Sequence, residues 1–201
     1  MSEKVKNLLE HEARAIANIP ASEEFEKAVG IIHQQVHNRK GKLVCSGMGK
    51  AGQIANNIAT TFSSTGTPSD FLHPADAQHG DLGVLQENDV LLFVSNSGKT
   101  REILELYSLS QRLFKLPIIL ITGNPEGDLV READAVLYTG NPDEVCPLGL
   151  TPTTSTTAMT VIGDILVVMM MEKIGFTAED YSKRHHGGYL GHKSRNSTDS
   201  K

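Results

Sequence analysis

The chain has 201 residues, enough for one domain, and its 39% hydrophobic and 21% charged residues are ordinary for a soluble globular protein. A net charge of −5 disfavours a surface that binds nucleic acid, and two cysteines, Cys45 and Cys146, provide no disulfide scaffold, so we expect a cytoplasmic protein. The charged N-terminus is not a signal peptide, and the longest apolar run, 161–171, contains Asp164 and is too short to cross a bilayer. We therefore expect no membrane partner and assign this run to a core helix.

Hydrophobic periodicity predicts helices that alternate with short apolar strands. Two amphipathic helices come first, over 3–19 and 22–38, and Ser22 is the predicted N-cap of the second. Apolar runs bounded by turn residues predict strands over 42–45, 69–72, 90–94, 117–121 and 135–138. The intervening helices are predicted over 51–63, 101–113, 127–132 and 153–174, and Thr177 caps a last short helix.

Continuous apolar strands between helices are typical of a parallel sheet that is covered on both faces. We therefore predict an α/β fold with three layers (α/β/α) around a five-stranded parallel sheet. The N-terminal helices (1–41) are expected to pack on the main domain (42–193) or on a neighbouring subunit, and the polar tail (194–201) is expected to be disordered. Ligands of such sheets bind at the carboxyl ends of the strands. The loops that meet there are 46–52, 73–83, 95–100 and 122–127.

The loop 95–100, Ser-Asn-Ser-Gly-Lys-Thr, follows a predicted buried strand and precedes a helix. The first backbone N–H groups of a helix lack internal partners and lie at its positive end, and the hydroxyls of this loop add further donors for a phosphate. Because the loop has neither the Walker nor the dinucleotide glycine spacing, a small phosphorylated molecule fits it better than a nucleoside triphosphate or NAD. On this motif alone, a plain N-capping loop is the alternative.

Several further segments carry chemistry that is unusual for loops. They are Gly-Met-Gly-Lys at 47–50, a loop with two histidines and two acids at 73–81, Cys-Pro-Leu-Gly-Leu at 146–150 and His-His-Gly-Gly at 185–188. Together with Ser-Asn-Ser-Gly at 95–98, Ser-Thr-Gly-Thr-Pro at 64–68 and the segment 175–180, they closely resemble the arabinose-5-phosphate isomerases of the sugar isomerase (SIS) domain superfamily. The Ser-x-Ser-Gly loop alone indicates only an SIS domain, whereas the His-Gly-Asp loop at 79–81 and the Cys-Pro-Leu-Gly-Leu segment point to this subfamily.

The resemblance implies a flavodoxin-like SIS fold and interconversion of D-ribulose 5-phosphate and D-arabinose 5-phosphate through an enediol. This reaction needs no redox cofactor, and because His73 and His79 lack the usual ligand spacing and the two cysteines have no paired neighbours, we expect no required metal. The product feeds synthesis of 3-deoxy-D-manno-octulosonate (Kdo), a sugar of lipopolysaccharide and some capsules. Family members are commonly homotetramers whose sites lie at subunit contacts. Many carry a C-terminal pair of CBS domains, and because the chain ends before them we expect a stand-alone catalytic form. We also hypothesise feedback inhibition at the site by a nucleotide sugar.

The resemblance places the catalytic residues at Lys50, Glu102, Glu144 and His185. We assign Glu144 as the base for carbon because rigid, proline-rich backbone follows it, Lys50 to the enediolate or the phosphate, and His185 to ring opening or proton shuttling. Each assignment has a structural alternative. Glu144 is alternatively an exposed loop acid, and Glu102 an acid that complements the helix dipole. Lys50 is alternatively a surface lysine, and His185 a structural histidine. Substrate-binding positions are Gly49, Ser95, Asn96, Ser97, Thr100 and His79, of which the last has a purely structural alternative.

Two positions depart from the family pattern. Lys99 stands where glutamate is usual and so reverses a charge beside the loop 95–100. His186 stands where proline is usual, so two adjacent histidines could be the functional one, and we choose His185 because it aligns with the family's histidine.

Two other functions are considered. Another phosphosugar isomerase is disfavoured because hexulose-6-phosphate isomerases lack the loop at 79–81 and sedoheptulose-7-phosphate isomerases have a different first glycine-rich loop. A phosphosugar sensor of a transcription regulator is disfavoured because residues 1–41 contain no basic recognition helix.

Overall fold

A five-stranded parallel sheet forms the centre of the structure, a computed structural model that describes residues 2–187 and 189. The strands are β1 (Leu43–Gly47), β2 (Ser69–Phe71), β3 (Val90–Val94), β4 (Ile118–Thr122) and β5 (Ala135–Tyr138). Their order across the sheet is β2-β1-β3-β4-β5, and every neighbouring pair is parallel. The chain order therefore reverses between β1 and β3, which is where such sheets bind ligands.

Helices cover both faces of this sheet. They are α1 (Ser2–Ala17), α2 (Glu24–Ile32), α3 (Gly49–Ser64), α4 (Pro74–Ala77), α5 (Arg101–Leu113), α6 (Thr154–Ile174) and α7 (Ala178–Arg184). A π-helix over His33–Asn38 continues α2, and 3₁₀ turns lie at Asp81–Val84 and Asp128–Arg131.

Alternating residues of the strands supply two separate hydrophobic cores. In β3, Leu92 packs in the core that contains α2, α3 and α6, whereas Leu91 and Phe93 pack in the core that contains α5. All three side chains are fully buried. Because successive side chains of a strand point to opposite faces, a strand that is apolar throughout must be covered twice. The predicted three-layer fold around a five-stranded parallel sheet is confirmed.

Several predicted boundaries are wrong in detail. The helix predicted over 22–38 is α-helical only to Ile32 and then continues as a π-helix. Ser22 does not cap it, because Glu23 already has helical backbone angles and only the Ser22 carbonyl takes part, as acceptor for Phe25 N–H. The segment 73–83 is not an open loop, since it contains α4 and a 3₁₀ turn. The predicted cap at Thr177 is confirmed.

The turn into α3 is shorter than predicted, because β1 extends to Gly47 and α3 begins at Gly49. Gly47 permits this turn, since a Cβ at this position would lie 2.8 Å from the carbonyl oxygen of Ala51. The end of the strand and the first turn of the helix are therefore in direct backbone contact, which brings Lys50 close to the edge of the sheet.

The N-terminal helices contact the main domain of the same chain. α2 packs against β5 and α6, and a Glu24 carboxylate oxygen accepts a hydrogen bond from Val136 N–H at 3.0 Å. α1 lies on α6, with Ala15 as its one buried residue. The predicted polar tail, 194–201, lies outside the described residues.

α6 is the most hydrophobic long helix among the described residues. Its 21 residues include an 18-residue window of mean hydropathy 1.5, long and apolar enough by composition to cross a bilayer, but half of this window is buried inside the structure. Gly163 of α6 contacts α3 so closely that a Cβ there would lie 2.5 Å from Ile58 Cγ1. This packing confirms the prediction of a core helix for the apolar run.

Candidate functional site

A cavity of about 620 Å³ opens at the carboxyl edge of the sheet, between the ends of β1 and β3 and the beginning of α6. Such a volume is typical of small-molecule sites. Many of its lining residues are polar and come from loops that were predicted to meet there. Six predicted site residues line it: Lys50, Ser95, Asn96, Ser97, Thr100 and Glu144.

The loop 95–100 has a defined shape that is fixed by its own hydroxyls and by the turn after β4. Ser95 Oγ and Thr100 Oγ1 lie 2.9 Å apart, and Asn124 Nδ2 donates to Ser97 O at 2.8 Å. Gly98 has φ +61°, and a Cβ there would lie 2.9 Å from the Cα of Gly127. Glycine is therefore required at this position both for the backbone angle and for the close approach of the two loops.

Thr100 is the N-cap residue of α5, yet its side chain makes no capping hydrogen bond. Its hydroxyl pairs with Ser95 instead, so the first N–H groups of α5 are not used by this side chain. The alternative that the loop is a plain N-capping loop is therefore wrong for Thr100. A loop of this kind at the positive end of a helix can bind a phosphate.

Lys50 is exposed in the first turn of α3 and lines the cavity. Within the described part of the chain, its ammonium group makes no ion pair shorter than 4.0 Å. A cation at a helix N-terminus is locally unfavourable, so this lysine is placed for a negatively charged ligand rather than for the stability of the helix. Gly49, with φ +59°, is exposed and lies beside the cavity lining without being part of it.

Glu144 is half-buried and its carboxylate binds the beginning of α6. Oε2 accepts hydrogen bonds from Thr153 N–H (2.7 Å), Thr153 Oγ1 (2.8 Å) and Ser155 N–H (3.3 Å), and Oε1 accepts one from Ser155 Oγ. Burial alone would raise the pKa of Glu144, but the hydrogen bonds from Ser155 and Thr153 outweigh burial and lower it. The alternative of an exposed loop acid is therefore wrong.

Five further polar residues line the cavity and were not predicted as site residues: Asn124, Asn141, Asp143, Ser155 and Thr156. Asn124 lies in a loop that the sheet topology already placed at this edge. Asp143 is the acid directly before Glu144, and this proximity in sequence could have identified it as a candidate site residue. No three His, Cys, Asp or Glu side chains come together in residues 2–187 and 189 as they would at a metal centre.

Besides Gly49, three predicted site residues lie outside the cavity of their own chain: Glu102, His79 and His185. Glu102 is in the first turn of α5, and His79 is exposed after α4. His185 ends α7, where its ring stacks on Tyr181 with centroids 3.7 Å apart.

α7 follows the far end of α6, next to Phe176, whose ring contacts Gly66 in the turn before β2. His185 therefore belongs to the amino edge of the sheet, opposite the cavity. The single chain brings Lys50 and Glu144 together but not Glu102 or His185.

The segment after Glu144 folds into a tight turn around Cys146, beside the cavity. Sγ accepts hydrogen bonds from Thr151 N–H at 3.1 Å and Leu150 N–H at 3.3 Å. These donors, with the one from Thr151 contributing most, lower the pKa of Cys146 to about 7, although burial opposes them.

Comparison with known proteins identifies relatives along most of the chain. Residues 36–169 match the SIS domain family. The arabinose 5-phosphate isomerase KdsD of Salmonella typhi is 45% identical over 188 residues, which make up 94% of this chain and 56% of that relative. The chain therefore spans little more than half the length of this curated relative.

Two solved structures match over nearly their whole length. A Bacteroides fragilis protein, for which a role as a phosphosugar isomerase in capsule formation has been suggested, is 65% identical with a TM-score of 0.93, covering 94% of this chain and 99% of its own. The protein c3406 of Escherichia coli CFT073, solved in complex with arabinose 5-phosphate, is 34% identical with a TM-score of 0.83, covering 91% of this chain and 96% of its own.

The pKa of Cys146 leads to a prediction for its reactivity. Alkylation by iodoacetamide should follow the thiolate, with a midpoint near pH 7, slow reaction below it and a plateau by about pH 8, where an ordinary thiol would still be gaining rate. The measurement is the mass-spectrometric rate of modification at each pH. Cys45 is the internal control, because it is buried and its pKa is raised. A midpoint above pH 8 for Cys146 would contradict the hydrogen-bonded turn.

Proposed function

Because the chain belongs to the SIS domain family, we propose that it is an aldose–ketose isomerase that interconverts D-arabinose 5-phosphate and D-ribulose 5-phosphate. The observation that carries the proposal is the single cavity that joins the loop 95–100 to Lys50 and Glu144. The relatives support it, since one is named as an arabinose 5-phosphate isomerase and another was solved with arabinose 5-phosphate.

Aldose–ketose isomerisation moves one proton between C2 and C1 of the sugar. A base removes the C2 proton of the aldose, and the electrons of that C–H bond form the C1–C2 double bond of the enediolate while the negative charge moves to O1. O1 then gains a proton and O2 loses one, and a proton is delivered to C1 as the C2–O2 bond becomes the ketone. In this proposal the loop 95–100 holds the phosphate and so fixes the distance from the phosphate to the reacting carbons. The Lys50 ammonium stabilises the negative charge on the enediolate oxygen.

We assign the C2 base to Glu144, which lines the cavity from the segment between β5 and α6. Its four hydrogen bonds hold the carboxylate in one orientation, which favours proton transfer along one line. The same bonds lower its pKa and therefore its basicity. The proposal thus requires that the gain in orientation exceed the loss in basicity.

Active sites at subunit contacts are part of the proposal. His185 lies at the opposite sheet edge from the cavity of its own chain, so we infer that a second copy supplies it. Large apolar side chains on α1, on the 146–152 turn and on α6 are exposed and provide surface for such contacts. They are Val5, Leu8, Leu9, Ile16, Leu148, Leu150, Ile165 and Val168. We propose a homotetramer in which Glu102 and His79 also act at sites shared between subunits.

In a cell the enzyme would act in the cytoplasm and supply arabinose 5-phosphate for Kdo, and the B. fragilis relative favours the capsule as its destination. A cytidylyl sugar from the end of that pathway, offering phosphate and hydroxyl groups to the same loops, would compete with the substrate. The test is the initial rate at arabinose 5-phosphate concentrations near KM, where a saturating amount of the nucleotide sugar should raise the apparent KM. Equal rates with and without it would remove the feedback proposal.

Replacing Glu144 with glutamine tests the base directly. The amide oxygen can accept the three hydrogen bonds now made to Oε2, and the amide nitrogen can donate to Ser155 Oγ, so the turn should keep its shape. Glu144→Gln should lower kcat by roughly 10²- to 10⁴-fold with little change in KM. Thermal unfolding gives the control for folding, and Glu10→Gln, at an exposed position outside the cavity, is the control for loss of one negative charge. A kcat near that of the wild-type enzyme would show that Glu144 is only an anchor.

Mixing two inactive variants tests the shared sites. Lys50→Ala and His185→Ala chains should each be inactive alone, because each lacks one group of every site. When the two are co-expressed, a site that takes Lys50 from one chain and His185 from its neighbour is complete, and about a quarter of the wild-type activity should return. Light scattering should give a particle of about four times 21.8 kDa. Absence of any restored activity in mixed particles would contradict a site shared in this way.

A further inference from the structure

We propose that Glu12 of the N-terminal helix is a positioning residue for the isomerase site, because it holds the beginning of α6, where Glu144 is bound. The expected kinetic effects rest on the proposed function, whereas the contacts of Glu12 do not depend on which reaction the site catalyses. Glu12 does not line the cavity, and so it acts through the residues that it contacts.

The contact between Glu12 and α6 runs through one buried hydroxyl. Thr154 is fully buried, and its Oγ1 donates to Glu12 Oε1 at 2.9 Å while it accepts from Val145 N–H at 3.2 Å. A single side chain therefore joins α1, the segment that carries Glu144 and the first residue of α6. Thr154 also stands between the two residues, Thr153 and Ser155, that hold the Glu144 carboxylate.

A second contact from α1 reaches the other side of Glu144. His11 Nε2 lies 2.9 Å from the backbone oxygen of Asp143, so neighbouring residues of α1 contact the chain both directly before Glu144 and at the beginning of α6. α1 has only one buried residue, Ala15, and therefore these polar contacts contribute much of what fixes its position. The helix is thus part of the support for the site.

The energetics of Glu12 favour a role beyond simple packing. Its second oxygen, Oε2, is enclosed and has no hydrogen-bond partner among the described residues, which is costly for a carboxylate. The N-terminus of α6 carries a partial positive charge and offsets part of this cost for both Glu12 and Glu144. Two carboxylates from distant parts of the chain consequently hold three consecutive residues at one helix end.

Loss of Glu12 should affect orientation at the reacting carbons more than phosphate binding, because the loop 95–100 is braced separately by Asn124 and Gly127. A misplacement of about 1 Å in a catalytic group can lower the rate roughly 100-fold. For Glu12→Ala we expect kcat to fall by roughly 10- to 100-fold while KM changes by less than about threefold. Glu12→Gln, whose amide oxygen can still accept from Thr154, should recover most of the wild-type kcat.

The matched control is Glu10→Ala, two residues earlier on the same helix, where the side chain is exposed and forms an ion pair with Lys6 at 3.9 Å. Glu10→Ala should leave kcat and KM unchanged. Thr154→Val removes the same hydrogen bond from the other side with nearly the same shape, and it carries the test if Glu12→Ala does not fold. Thr154→Val also removes the acceptor of Val145 N–H, so it should lower kcat at least as much as Glu12→Ala. The double variant should lose no more activity than Thr154→Val alone, because the Glu12 contact is already absent in that variant.

A readout that does not depend on activity separates this inference from the proposed function. Cys146 lies two residues after Glu144, and its low pKa depends on the order of the same turn. In Glu12→Ala or Thr154→Val the midpoint of its alkylation profile should move upward from about 7, whereas in Glu10→Ala it should not. An upward shift in a protein without isomerase activity would refute the proposed function and keep the positioning role. Unchanged kcat and an unchanged midpoint in both variants would overturn the positioning role.

Discussion

The hydrogen bonding of the Glu144 carboxylate to the beginning of α6 is the interaction on which the rest of the site depends. It joins the segment after β5 to the longest described helix, and it uses backbone N–H groups that a helix terminus leaves without partners. The turn around Cys146 lies between Glu144 and α6, and Gly149, Leu150 and Pro152 of this segment line one side of the cavity. The same bonds that orient the carboxylate also lower its pKa, so Glu144 is a weaker base that is held in one orientation.

The phosphate side of the cavity has a different physical basis. Parallel strands bring the loops after β1, β3 and β4 to one edge, and the contact between Gly98 and Gly127 locks two of these loops together. In the proposed function, the loop 95–100 holds the phosphate and Lys50 and Glu144 face the reacting carbons in the same cavity. Because the loop 95–100 and Glu144 are held by separate contacts, the proposal expects substitutions in the two regions to affect KM and kcat differently.

Periodicity and composition were enough to predict the sheet, the helix layers and the cap at Thr177, because each depends on local patterns of apolar, glycine and hydroxyl residues. The SIS family was predicted from the resemblance of several motifs to known proteins. The position of the loop 95–100 at the carboxyl edge of the sheet was predictable from the same local patterns. The four bonds of Glu144 were not, since Thr153 and Ser155 are nine and eleven residues away and only the folded turn brings them together. The link from Glu12 to Thr154 spans 142 residues and leaves no local signal. The position of His185 at the opposite sheet edge depends on the length and direction of α6, which sequence spacing alone does not reveal.

The central claim is that the cavity transfers a proton between C1 and C2 of a five-carbon sugar phosphate. The most direct measurement is proton NMR of arabinose 5-phosphate incubated with the wild-type protein in D₂O, alongside ribose 5-phosphate, glucose 6-phosphate and a hexulose 6-phosphate. We expect ribulose 5-phosphate to form from arabinose 5-phosphate, with solvent deuterium appearing at C1 of the ketose or at C2 of the returned aldose, and no conversion of the other sugars. Binding of arabinose 5-phosphate with neither conversion nor deuterium incorporation would contradict the claim and would indicate a phosphosugar sensor.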